Sequence, residues 1–424
     1  MIQTSHAESS QVGLPAERRT IPLNVSTFDE SEIEKAIAVL RSGFVTMGKC
    51  CRQFEQDFSA TLDTPHSVMV NSGSSANLLT FFALANPQLP VPSGKRTPQS
   101  GGEIIVPAVT WSTTIWPIVQ AGFVPVFVDS DSASLQMDVS AVENAIGPQT
   151  VAICAVHVLG NTVEILRLKE LADKHGLWLI EDTCESLGAR YSGRPVGTFG
   201  DFGTFSFYFS HHITTIEGGM VVTRTDECAE LLRCMRAHGW ARDLKSADTI
   251  ASKHSDLDPR FLFVNTGFNL RPTEINGAFG IEQLKKLERF NGHRNQAANC
   301  WLNLFSDLSE RGLMVPMQIA ESAHPAWFGF PVVCDCPETR NGLREHLTRW
   351  GVETRPIICG NMARQPAMNH IRHRVHAELK GADRIMDCGL YWGIHPQMTA
   401  DDLTYVAQVV HGYFEQAGSL RNAA

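Results

Sequence analysis

Two adjacent histidines, His211 and His212, stand in the segment SFYFSHHITTIEGGMVVT, residues 206 to 223, followed by the Glu217–Gly218–Gly219 turn. Imidazole titrates near neutrality, so a histidine on a loop beside a glycine turn suits proton transfer; it equally suits a structural hydrogen bond or a metal. Neighbouring side chains on an extended segment point apart, so both rings do not readily reach one ion, and no metal site is expected. A second candidate is Asp182. The apolar run Trp178–Ile180 leads into EDTCES and sets this carboxylate at the carboxyl end of a strand, where open α/β sheets bind ligands. It can pair with a protonated ring nitrogen of a cofactor or simply cap the next turn. A third is NSGSSAN, residues 71 to 77, where small residues between a strand and an apolar helix free backbone amides for an anion such as a phosphate. The plainer alternative is a tight turn with Ser74 or Ser75 as helix cap.

The elements that must hold these residues follow from periodicity. From about residue 29 to 225 helical and strand periods alternate, as in a parallel sheet covered by helices. Asp29 and Glu32 form a capping box, after which Ile33, Ala36, Ile37 and Leu40 share a helical face until Gly43. Ser67–Val70, Glu103–Val106, Val124–Val128, Val151–Val156 and Trp178–Ile180 read as buried strands, and Val163–His175 as a helix closed by Gly176. The stretch 87–102 (PQLPVPSGKRTPQSGG, from Pro87) reads as a surface loop, and 241–260 as an exposed polar segment. The expected organisation is an N-terminal arm over 1–28, a large α/β domain over 29–313 and a small α+β domain over 314–424.

Composition narrows the function. Of 424 residues, 43% are hydrophobic and 19% charged, which is ordinary for a globular enzyme and excludes disordered, collagenous and coiled-coil chains. With 36 basic against 45 acidic residues the net charge is −9, and no basic block could track a nucleic-acid backbone. No apolar run approaches the roughly 20 residues that cross a bilayer, and a cytoplasmic protein is expected. Eleven irregularly spaced cysteines read as reduced thiols; Cys50, Cys51, Cys334 and Cys336 merit inspection.

Taken together and in order, MGKC (47–50), NSGSSAN, PAVTWSTT (107–114), EDTCES, FSFYFSHHITTIEGG and RAHGW (236–240) resemble the DegT/DnrJ/EryC1/StrS family, the sugar aminotransferase branch of the fold-type I pyridoxal-phosphate enzymes, over essentially Pro22 to the C-terminus. The resemblance implies an α/β fold with a mixed, mostly parallel seven-stranded sheet, helices on both faces and a smaller C-terminal α+β domain. Where the family carries a lysine that holds the cofactor covalently, this chain has His211. An imidazole cannot take that bond. The replacement marks the deoxysugar 3-dehydratases of the family, and the motifs are most similar to the branch acting on GDP-4-keto-6-deoxy-D-mannose in deoxysugar and lipopolysaccharide O-antigen synthesis. A sister branch carries a [2Fe–2S] cluster on cysteines spaced C-x57-C-x-C-x7-C. Cys184 matches the first ligand, but Arg242, Leu244 and Ser252 follow; counted from Cys334 and Cys336, the outer positions are Asn276 and Arg344. No iron–sulfur cluster is expected.

The roles that the resemblance implies are these. Gly73, Ser74 and Ser206 hold the cofactor phosphate, and Asn269 reaches the phosphate of the neighbouring subunit of a homodimer. Trp111 stacks on the pyridine ring, Asp182 keeps the ring nitrogen protonated, and Glu185 is a partner of the ring hydroxyl or supports it. His211 is the general acid and base. His212 is structural, by the alternation of side chains. His238 lies near the sugar, and Arg355 meets the glutamate carboxylate or a nucleotide phosphate, unless it makes only a surface ion pair. The cofactor is pyridoxal or pyridoxamine phosphate, bound non-covalently, with L-glutamate as amino donor and a nucleotide-sugar as substrate. The alternatives are an aminotransferase without the lysine and a silent, cofactor-binding relative.

Overall fold

A computed structural model of the chain describes residues 14–422; residues 1–13 of the expected N-terminal arm lie outside the described residues. Its centre is an eight-stranded sheet in the order His66–Val70, Gly219–Thr223, Phe202–Ser206, Trp178–Asp182, Thr150–Val156, Glu103–Pro107, Val124–Val128 and Arg374–Val375. Gly219–Thr223 runs antiparallel to both its neighbours; every other pairing is parallel. Seven strands thus come from residues 66–223, in the expected mixed and mostly parallel arrangement, and an eighth of two residues is added at the edge by Arg374–Val375.

The continuous apolar strands make sense once both faces are covered. Ala152, Cys154 and Ile180 belong to one apolar cluster and Ile153, Ala155 and Leu179 to another, which is the period of two expected when helices lie on both sides. Helices Gly73–Leu84 and Ser112–Gln120 cover the first face, and Val139–Ala145 and Ile165–His175 the second. The last of these ends at Gly176, whose φ of 66° only glycine adopts freely.

From Met314 a four-stranded antiparallel sheet follows, in the order Met314–Pro316, Gly329–Cys334, Gly389–Gly393 and Thr354–Arg355, with helices Pro337–Arg349, Lys380–Cys388 and Ala400–Asn422. The long helix Leu287–Leu304 joins the two regions, with Trp301 packed edge-on to Phe330 and Trp392 of the small sheet.

One local expectation is revised. Asp29 and Glu32 do form a capping box on helix Glu30–Ser42, but the face that turns inward is that of Glu32 and Val39, while Ile33 and Leu40 are 38% and 57% exposed. Glu32 is buried because Gln283 and Lys286 both donate to it, so a polar network rather than the apolar stripe sets the rotation of the helix. The 87–102 stretch is a loop, and a fastened one: Lys95 donates to Asp201 and the Leu177 carbonyl, and Arg96 to the carbonyls of Gly147, Thr150 and His175. The polar 241–260 segment carries one short helix, Ala247–Lys253, with no buried residue.

Candidate active site

A cavity of 520 Å³ opens at the carboxyl edge of the parallel strands, and Gly73, Ser74, Trp111, Asp182, Glu185, Ser206 and His211 all line it. His238, Asn269 and Arg355 are not among its lining residues.

At one end the helix Gly73–Leu84 points its first turn at strand Phe202–Ser206. The cap is Ser72, not Ser74 or Ser75: its Oγ accepts from the Ser75 amide at 3.0 Å. A β-carbon on Gly73 would stand 2.5 Å from Ser206 Cβ, so only glycine lets the helix come this close. Ser74 and Ser206 line the cavity beside the helix's first turn, whose free amides can hold an anion. Trp111, the N-cap residue of helix Ser112–Gln120, is 55% exposed and lines the same cavity.

Asp182 is nearly buried. One carboxylate oxygen accepts from Asn77 Nδ2 and Thr114 Oγ1, both at 2.8 Å, and the other from the Cys184 amide at 3.2 Å. Asn77 in turn accepts from Thr204 Oγ1 at 2.7 Å. The carboxylate is locked in place by one oxygen, and the other keeps capacity for a further donor. Glu181, one residue earlier and on the opposite face, is structural: His157 and the amides of Gly197, Phe199 and Gly200 take up its oxygens. Glu185 accepts from the Leu159 amide, and burial, reinforced by the nearby Asp182, raises its carboxyl to about 7. Sequence reading missed Asn77 and Thr114, although both stand inside quoted motifs. The available signal was an amide in the middle of an otherwise apolar helix.

His211 follows the end of the strand at Ser206 on a turn rather than on an extended segment, with its amide bonded to the Tyr208 carbonyl. Its ring packs edge-on to Phe328 at 5.1 Å, and its buried Nδ1 has no partner. Burial, and next the charge of Arg294, lower the imidazole to about 4. At neutral pH it is an uncharged base facing a cavity. His212 is 1% exposed, meets the Ala326 carbonyl at 2.8 Å through Nε2 and does not line the cavity. Both rings pack on Phe328, and only that of His211 lines the cavity.

The remaining candidates lie apart. Asn269 is exposed, accepts from Arg271 Nε and bridges Ala237; His238, with φ of 65°, packs on Trp240 at 4.9 Å. Arg355 is exposed, donates to the Thr354 carbonyl and stands opposite Tyr391, a cavity residue, in the small sheet. Among the described residues no group of three or more His, Cys, Asp or Glu side chains is placed to hold a metal ion, and the described cysteines are unpaired.

The sequence profile of the DegT/DnrJ/EryC1/StrS aminotransferase family matches residues 26–411, and the chain belongs to this family. It is 40% identical to GDP-4-keto-6-deoxy-D-mannose 3-dehydratase of Yersinia pseudotuberculosis over 88% of this chain and 94% of that one. It is 38% identical to the protein of the same name from Escherichia coli O55:H7, over 92% and 99%. Among solved structures, a GDP-4-keto-6-deoxymannose-3-dehydratase with a trapped PLP-glutamate geminal diamine superposes with a TM-score of 0.85 at 36% identity, covering 92% of this chain and all of that one. The fold is therefore that of the pyridoxal-phosphate enzymes. The residues present fit this cofactor: a glycine-permitted anion cradle at one end, an indole beside the cavity, and a braced carboxylate with one oxygen to spare.

Proposed function

We propose that the chain is a pyridoxal/pyridoxamine-phosphate-dependent, glutamate-using 3-dehydratase of a nucleotide-linked 4-keto-6-deoxyhexose, with GDP-4-keto-6-deoxy-D-mannose as substrate. The observation that carries the reading is His211: an uncharged imidazole, with one unpartnered nitrogen, where the family has its lysine. Removal of the C3 hydroxyl balances as sugar plus glutamate giving the 4-keto-3,6-dideoxy sugar, 2-oxoglutarate and ammonia; glutamate supplies the two electrons.

When bound, the cofactor supplies an electron sink and the amine that engages the C4 carbonyl. Gly73, Ser74 and Ser206 would anchor its phosphate, Trp111 would cover a ring face, Asp182 would hold a proton on the ring nitrogen, and Glu185 would meet the ring hydroxyl. His211 accepts a proton and delivers it to the departing C3 oxygen, one base serving both tasks. Arg355 and His238 are assigned to substrate binding.

We further propose a homodimer that shares its active sites. Ile33, Leu40, Phe44, Val45 and Ile216 are all exposed by more than a third, an unusual density of apolar surface. The bridge between Thr46 and Thr273, and the bonds from Asn276 to the Thr215 and Glu217 carbonyls, link this surface to the cavity loop, close in sequence to Asn269. Asn269 would then serve the partner's phosphate. Among the described residues no helix is long and apolar enough to cross a membrane, and the soluble substrate puts the reaction in the cytoplasm.

The test is to supply purified protein with pyridoxal phosphate, glutamate and GDP-4-keto-6-deoxymannose, and to read ammonia together with the product mass. Ammonia with loss of the C3 oxygen is expected; an amino sugar that keeps its C3 oxygen would make this an aminotransferase instead. Borohydride should trap no cofactor on the native chain and should trap it on H211K.

A further inference from the structure

Arg294, on helix Leu287–Leu304, is 5% exposed, yet its contacts are two long bonds to main-chain carbonyls: Nε to Ile394 at 3.3 Å and Nη1 to His212 at 3.5 Å. Among the described residues it has no ion pair with a carboxylate. Buried charges are ordinarily paired, because an unpaired one costs several kcal/mol, so an uncompensated guanidinium calls for a reason. Its surroundings suggest one. The carbonyl it holds belongs to the residue next to His211, and its charge bears on His211, His212 and His395 alike.

We infer that Arg294 is a positioning residue for proton transfer: its fixed charge, without an ion-pair partner behind the 211–212 segment, adds to burial in keeping His211 unprotonated until catalysis and in making the protonated ring release its proton to the departing hydroxyl. This rests on the dehydratase reading above. Around His211 the ionisable groups on the cavity are Asp182, Cys184 and Glu185 from the sheet edge, His157, Tyr208 and Glu217 from flanking loops, and Tyr391 from the small sheet. None of these carboxylates neutralises the effect; after burial, the contribution at His211 is that of Arg294. Arginine is also the fitting residue type. A lysine so buried would shed its proton, whereas the guanidinium, though lowered by burial to about 10, stays charged at neutral pH. The consequence falls on the donor half of the cycle. A ring that holds its proton weakly is a modest base and a good acid, and loss of hydroxide needs the acid.

The experiment compares R294Q, R294M and the native full-length protein loaded with pyridoxal phosphate. The His211 titration is read by imidazole ¹H–¹⁵N NMR, with H211N to assign the signal, alongside the pH profile of kcat/KM. In native protein His211 should titrate well below 6. In both variants the midpoint and the acid limb should rise together by about one pH unit. Glutamine keeps a donor for the carbonyls but no charge, so R294Q separates bonding from electrostatics. An R294Q that behaves as native while R294M is impaired would reduce Arg294 to a structural clamp and overturn the inference. Should neither variant fold, R294K, whose buried amine would shed its proton, is read in their place: a midpoint raised above native upholds the inference, and one unchanged from native, or a native midpoint near 6.5, overturns it. Failure of the dehydratase reading shows separately, as absence of ammonia release from the native protein, and leaves the NMR comparison intact.

Discussion

On the strand side of the cavity every carboxylate oxygen of Glu181 and Asp182 has a donor, and Asn77 is itself held by Thr204 of the sheet. On the loop side, residues 206 to 219, the Nδ1 atoms of His211 and His212 have no partner among the described residues, Ile216 takes a φ of 71° and is 49% exposed, and Arg294, bonded to the His212 carbonyl, has no ion-pair partner. A satisfied network is rigid and sets geometry before any ligand arrives. Unsatisfied nitrogens and a β-branched residue in left-handed backbone cost folding energy, and they persist where a ligand or partner completes them. On the proposed reading the cofactor's fixed end belongs to the strand side, and the chemistry to the loop.

The largest effect should come from the loop. H211N should retain cofactor but lose about 10²- to 10⁴-fold in ammonia release, the range for a general acid–base group. H212N should stay within an order of magnitude, since its ring serves the Ala326 carbonyl; equal losses in the two variants would erase the distinction between the neighbours. Next in size is the strand side. D182N should weaken cofactor binding about 10- to 100-fold, as expected for a hydrogen bond to a charged group worth roughly 1.5–3 kcal/mol, without unfolding the sheet, because Asn77 and Thr114 still find an oxygen acceptor. Equilibrium titration with pyridoxamine phosphate reads this directly, and undiminished affinity would remove Asp182 from the ring nitrogen. N269A should cost less, about fivefold in affinity for one hydrogen bond to phosphate, and the loss should appear only in protein that sediments as a dimer. A monomer with full activity would end the shared-site proposal.

How far the sequence reached follows the same division. The strand side was legible where its chemistry is local: Gly73 and Asp182 follow strands whose apolar runs announce themselves, whereas Ser206 came only from the family resemblance and its strand Phe202–Ser206, FGTFS, has no such run. The buried strands are observed within two residues of the positions read. What escaped was non-local. The edge strand Arg374–Val375 is two residues inside IRHRVH and has no pattern of its own; its place is fixed by Arg374 pairing with Glu103, far away in the chain. The rotation of helix Glu30–Ser42 went wrong because Gln283 and Lys286, which bury Glu32, are 251 and 254 residues distant. Arg294 offered no signal at all, since an arginine in a helix is ordinarily a solvated residue, and only burial without a partner makes it notable.

The mildest perturbation, a change of pH, probes the loop side without any substitution. Burial lowers His211 and His395 to about 4 and holds His212 well below its ordinary value, so in the range from their ordinary 6.5 downward the unfolded chain binds more protons than the folded one. Their contribution to stability is fully present above pH 6.5 and is lost as pH falls toward 4, at up to about 1.4 kcal/mol per pH unit for each ring. Glu185 acts with the opposite sign: raised to about 7, it favours the folded state below 4.5, and that support fades as pH rises through 7. Three histidines outweigh one carboxyl, so urea denaturation of cofactor-free protein should show stability falling steadily between pH 6.5 and 4.5. H395Q should flatten that slope by about one proton and leave turnover at pH 7.5 near native. A slope unchanged by H395Q would mean that this ring is not held neutral, and the acid sensitivity would then rest on His211 and His212.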